Sequence, residues 1–172
     1  VWETTRLRFT WLVANLLTAI AASIVISFFE ATIEQMVALA VLMPIVASMG
    51  GNAGTQTMTV AVRALATQDL GPANAMRVIW RECAVGLLNG ILFAVIMALI
   101  AYFWFGSDGL GLVIGVAMVV NLFAAALAGI LIPLGLDALD LDPAIASGVF
   151  VTTVTDVVGF FAFLGLAALW LA

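Results

Sequence analysis

Residues 143–172 read PAIASGVFVTTVTDVVGFFAFLGLAALWLA, thirty residues of which one, Asp156, is charged. A helix crosses the hydrocarbon core of a bilayer with ~20 apolar residues, so this stretch is long enough to span a membrane. Its Ala, Leu, Val and Gly content, without strict polar-apolar alternation, favours a helix over a barrel strand. Outward from it, four more uncharged stretches lie between charged residues, at 9–29, 35–62, 83–107 and 109–136. The predicted fold is an all-α integral membrane protein with five transmembrane helices in a single domain over residues 1–172.

Composition agrees. Of 172 residues, 66% are hydrophobic and 9% charged, with a mean hydropathy of +1.29, whereas soluble domains are roughly half apolar and about a quarter charged. A water-soluble enzyme and a disordered segment are therefore excluded. Five basic residues, all arginine, against ten acidic ones give a net charge of -5, the wrong sign for nucleic acid and the right one for attracting cations. The single cysteine, Cys83, rules out an intramolecular disulfide, and with no histidine the commonest zinc, copper and nickel ligand is missing.

All five arginines fall on one side: Arg6 and Arg8 precede the first span, and Arg63, Arg77 and Arg81 lie between spans two and three. The positive-inside rule makes that side cytoplasmic, with the N-terminus inside and the C-terminus outside a plasma membrane. Glu30, Glu34 and Asp108 then face outward, and Asp137, Asp140 and Asp142 inward. The 21 uncharged residues after Arg8 exceed the ~7–15 of a signal-peptide core, so the first span is expected to stay in the mature protein. Residues 63–82 read as a cytoplasmic linker, with an amphipathic helix beginning near Pro72.

Span two, at 35–62, would be roughly 42 Å long as a straight helix, so it must tilt or break, and Pro44 and Gly50-Gly51 supply the means. Ser48, Asn52, Thr55, Gln56 and Thr59 recur at helical spacing and share one face. Such residues can simply hold helices together, but two amides one turn apart beside a double glycine point to a pore or binding face. In the last span, Asp156 lies near the middle. An intramembrane carboxylate costs ~2.5–3.5 kcal/mol on insertion scales and is by default a functional residue. Gly148, Thr152, Thr155 and Gly159 surround it at helical spacing, and no arginine lies in any span to pair with it. Carboxylate, amide, hydroxyl and carbonyl oxygens suit Mg²⁺, Ca²⁺ or Mn²⁺. One carboxylate with retained waters fits Mg²⁺ in particular, and two copies meeting on this face would aim two Asp156 side chains at one axial ion.

At these residues the chain resembles the transmembrane domain of the MgtE family of magnesium channels, whose vertebrate relatives are magnesium-transporting solute carriers. The resemblance rests on Pro44 to Gln56 (PIVASMGGNAGTQ), Thr59 to Ala66 (TVAVRALA) and Thr152 to Phe160 (TTVTDVVGF), with the acidic loop at Leu141 to Ala144. It implies a homodimer in the lipid bilayer, with a central pore built from spans two and five of both subunits. Asp156 would bind a largely hydrated Mg²⁺, the transported ion, with Asn52 assisting. Backbone or side chains at Ser48, Gly51, Thr55, Gln56, Gly148, Thr152 and Gly159 would line the path. Asp142 matches a family acidic position near the cytosolic gate. The family typically adds a cytosolic N-terminal domain and a CBS pair joined by a connecting helix. None lies in these residues and Val1 is not a start methionine, so the regulatory part is expected to be removed or separate, with Val1 to Arg8 the end of the connecting helix. One departure is Val149, where the family usually has proline after the Ser-Gly pair, here Ser147-Gly148.

Three functions compete. The first is passive conduction of Mg²⁺ down its electrochemical gradient. The second is a proton- or sodium-coupled divalent cation carrier with Asp156 as the titrating group, although one ionisable group at depth and no histidine make a sparse relay. The third is a membrane scaffold in which both polar faces only pack helices. Enzyme chemistry is not expected, since the chain has no nucleophile paired with a base, no phosphate loop and no partner to activate Cys83.

Overall fold

Each long uncharged stretch forms one helix. The computed structural model describes residues 1–171, in the order α1 (Trp2–Ser27), α2 (Glu30–Gln35), α3 (Ala38–Ala66), α4 (Ala75–Phe105), α5 (Asp108–Ala138) and α6 (Pro143–Trp170). All but the short α2 are long and apolar enough to cross a membrane. Local chemistry sets the turns. Gly106 ends α4 in the left-handed region at φ 67°, and the Ser107 hydroxyl then accepts a hydrogen bond from Leu110 N at 3.2 Å to start α5. Asp142 caps α6 in the same way, accepting from Ala144 N at 3.0 Å, with Pro143 in the first turn.

Helix boundaries run past the charges that delimit the uncharged stretches. α1 starts at Trp2, before Arg6 and Arg8, and α3 passes Arg63 to reach Ala66. The amphipathic helix anticipated near Pro72 is no separate element. Residues 71–74 form a turn in which Gly71 N donates to Asn74 Oδ1 at 2.8 Å and Asn74 Nδ2 to Asp69 O at 2.7 Å. From Ala75 a single helix carries Arg77, Arg81 and Glu82 onward to Phe105. Hydrogen bonding along a helix is indifferent to where the hydrocarbon ends. α3 is also unbroken through Pro44 and Gly50-Gly51, so its 29 residues, ~43 Å of helix, fit a bilayer by tilting.

α5 is the hub. It packs against α3, α4 and α6 and buries residues on all sides, from Leu110 and Ile114 through Met118, Leu122 and Ala125 to Ile130. Small residues make this close approach possible: a Cβ at Gly111 would stand 2.9 Å from Ala98 O of α4. α3 and α4 diverge around α5 and leave a cleft of about 140 Å³ floored by Leu122 and Ala126. α1 docks on α6 and buries only Ala22. The outer faces of α1 and α4 expose Leu12, Leu16, Leu88, Leu92, Val95 and Leu99, a surface suited to lipid tails, which are as apolar as leucine.

Candidate functional site

α3 and α6 cross with their centres together. A Cβ at Gly54 would lie 2.7 Å from Val151 Cγ1 and 3.3 Å from Thr155 Cγ2, so α6 occupies the space that a side chain at Gly54 would need. One turn earlier, Gly50 meets the Asn121 side chain from one side and Gly159 meets it from the other. The helices therefore run antiparallel, with residue 50 level with 159 and 54 level with 155. That register sets Asn52 within about one residue of the height of Asp156, ~1.5 Å along the axis. Asn52 is the middle residue of Ala38–Ala66, and Asp156 lies at the middle of Pro143–Trp170.

The polar face of α3 points away from the chain's own core. At ~100° per residue, Ser48, Asn52, Thr55 and Thr59 cluster in one direction and all are exposed. Gly50, Gly54 and Ala61 are buried in roughly the opposite direction. Along the exposed face Asn52 Nδ2 donates to Ser48 Oγ at 3.4 Å, and Thr59 Oγ1 donates to Thr55 O at 2.8 Å. A Cβ at Gly51 would meet nothing within 4 Å. Gln56 is exposed too but stands at the edge of this face, lining the cleft between α3 and α4 with Thr57, Glu82 and Asn89.

On α6, Gly148, Thr152 and Asp156 follow one another at four-residue spacing. Thr152 is exposed, and Gly148 and Asp156 are half-buried. A Cβ at Gly148 would meet open space. Gly148 and Thr152 also line a groove of about 700 Å³ against Leu7, Arg8, Trp11 and Asn15 of α1. Among the described residues the Asp156 carboxylate has no hydrogen bond, whereas neighbouring Thr155 is buried and donates from Oγ1 to Thr152 O at 3.0 Å. Gly159 turns inward, against Asn121, rather than onto the open face. Asp142 is exposed at the start of α6, with one carboxylate oxygen engaged in the cap.

Asn121 is the residue the sequence reading passed over. It is fully buried, and its Nδ2 donates to Val46 O of α3 at 2.8 Å, while its buried Oδ1 has no partner among the described residues. The available signal was its isolation: it is the only polar side chain in the stretch 109–136.

The chemistry assembled is a half-buried carboxylate, an amide at its height and a row of hydroxyls, all hard oxygen donors. No group of three or more acidic, cysteine or histidine side chains that could cage a bare ion occurs among the described residues, so the set suits an ion that keeps much of its water. Comparison with known proteins supplies the family. A protein-family model described as MgtE, divalent cation transporter, matches residues 43–166. The chain is 38% identical over 164 residues to the magnesium transporter MgtE of Thermus thermophilus, covering 95% of this chain and 36% of that protein. It is 34% identical over 160 residues to the magnesium transporter MgtE of Bacillus subtilis, covering 93% and 36%. The chain thus spans about a third of the length of the curated relatives it matches. The family match runs from Met43 through the Gly50–Gln56 segment to Asp156 and on to Leu166, taking in both helices of the site, and the chain belongs to the MgtE family of divalent cation transporters.

Proposed function

We propose that this chain forms a Mg²⁺-conducting pore as a homodimer, with the polar face of α3 and the Gly148–Thr152–Asp156 stripe of α6 lining the path in each copy. The observation that carries the reading is Asp156, without a hydrogen bond among the described residues, at the middle of α6 and level with Asn52. A polar face turned away from its own core is costly against lipid and is relieved when it lines water or meets a second copy. A two-fold axis along this face aims two carboxylates at one axial ion, and a hydrated Mg²⁺ held through its waters needs no closed cage. With the arginines cytoplasmic, Glu30 and Glu34 lie at the outer mouth and Asp142 at the inner one, so acidic residues attract cations at both ends. A divalent ion gains about 4.6 kcal/mol from each 100 mV of membrane potential, enough to drive entry without a coupling ion.

The test is Mg²⁺ flux into liposomes carrying the full-length protein. Asp156→Ala is expected to abolish flux and Asp156→Asn to reduce it strongly. Undiminished flux in Asp156→Ala would sink the reading. Flux that follows an imposed pH or Na⁺ gradient when Mg²⁺ is equal on both sides would replace the channel with a coupled carrier.

A further inference from the structure

Among the described residues Asn121 makes no hydrogen bond to either side chain assigned to the ion, yet it stands between the two helices that carry them. Its carboxamide is wedged between Gly50 and Gly159: a Cβ at Gly50 would fall 2.7 Å from Oδ1, and one at Gly159 would fall 3.0 Å from it. Asn52 follows Gly50 by two residues, and Asp156 precedes Gly159 by three. The side chain is also tethered, through Nδ2 to Val46 O, so it cannot slide along α3 without losing that bond.

The position is an expensive one for an amide. Asn121 is completely buried in an otherwise apolar core cluster and leaves Oδ1 without a partner among the described residues, whereas a leucine of similar shape would carry no polar group to desolvate. Stability alone favours the hydrocarbon. What the amide adds is direction: a hydrogen bond fixes both the rotation and the height of α3 against α5, and the planar carboxamide fills the space between Gly50 and Gly159 beside the direct contact of α3 and α6 at Gly54. Two glycines leave space for this one group, where larger residues would have packed on each other.

We infer that Asn121 is a selectivity-determining positioning residue, a tethered wedge that fixes the rotation and height of α3 against α5 and its register with α6, and so where Asn52 stands relative to Asp156 along the path of the hydrated ion. The inference rests on the proposed ion-binding role of Asp156. Its consequence is that loss of the tether changes which ion fits before it changes whether ions pass. Groups that orient ligands from behind typically affect metal affinity or activity about 10- to 100-fold.

The experiment measures Mg²⁺ and Ca²⁺ flux separately in liposomes carrying the full-length protein, with thermal melting of each variant alongside. Asn121→Leu, which keeps bulk and removes the tether, is expected to lower the Mg²⁺-to-Ca²⁺ flux ratio about tenfold while the protein still melts cooperatively. Gly159→Ala keeps the tether but sets a methyl 3.0 Å from Oδ1, displacing α6 slightly, and is expected to shift the same ratio. It decides the matter should Asn121→Leu fail to fold. A folded Asn121→Leu or Gly159→Ala protein whose ratio stays within about twofold of the parent, below the range typical of such groups, overturns the inference. If Asp156→Ala abolishes flux while these ratios stand still, only this inference falls. Full flux in Asp156→Ala removes the reading beneath it.

Discussion

Asn52 and Asp156 divide the proposed work between an amide and a carboxylate. Asn52 is exposed and its one side-chain hydrogen bond, to Ser48, is long at 3.4 Å, so little of the fold depends on it. Asn52→Ala is therefore expected to leave the melting temperature unchanged and to raise the half-saturating Mg²⁺ concentration by about an order of magnitude, read from flux against Mg²⁺ concentration. Asp156 stood out in the sequence because it is the one charge in a stretch of thirty residues, and a lone carboxylate there has few structural uses. Asn121 was equally isolated in its own stretch, but its meaning depends on Val46, 75 residues away, and on two glycines in different helices. No periodicity within one span carries that information.

At the scale of the helix, glycines of identical appearance in sequence separate into two kinds. Gly54 is buried against Val151 and Thr155, while Gly51, three residues earlier, has open space where a side chain would go. Gly54→Ala is expected to destabilise the protein by about 1–3 kcal/mol, as overpacking of a tight seam does. Gly51→Ala is expected to leave melting untouched while reducing Mg²⁺ flux, because its methyl would project from the exposed side. Equal melting losses in both would contradict the assigned faces. The number and order of the long helices were readable because charges interrupt apolar runs. Their ends were not, since α3 and α4 carry Arg63, Arg77, Arg81 and Glu82 within their helical length. α2 escaped notice because six residues are too few to establish a period.

For the whole molecule, the proposed assembly rests on the direction of the polar face. α3 buries glycine and alanine toward α5 and α6 and turns Ser48, Asn52, Thr55 and Thr59 outward, so the proposed axis runs along the outer side of α3. A cysteine at Thr55 in a Cys83→Ala background is expected to be joined to the same residue of a second copy by a short bismaleimide, giving a covalent dimer on a denaturing gel. A protein that remains monomeric on the gel after such treatment would remove α3 from the axis. Sequence pattern suggested the polar stripe, but only the packed helices distinguish Gln56, at the mouth of a lateral cleft, from the four residues that share the open face.

The meeting of α3 and α6 at their midpoints also has an electrical meaning. In the proposed pore an ion held at the height of Asn52 and Asp156 stands about halfway across the insulating layer, so half the membrane voltage acts on it from either side. For a divalent ion that amounts to about 2.3 kcal/mol per 100 mV, or roughly a fiftyfold change in occupancy by a blocking cation. A non-permeant divalent blocker should therefore inhibit with the same steepness, and with opposite sign of voltage dependence, whether it is added inside or outside.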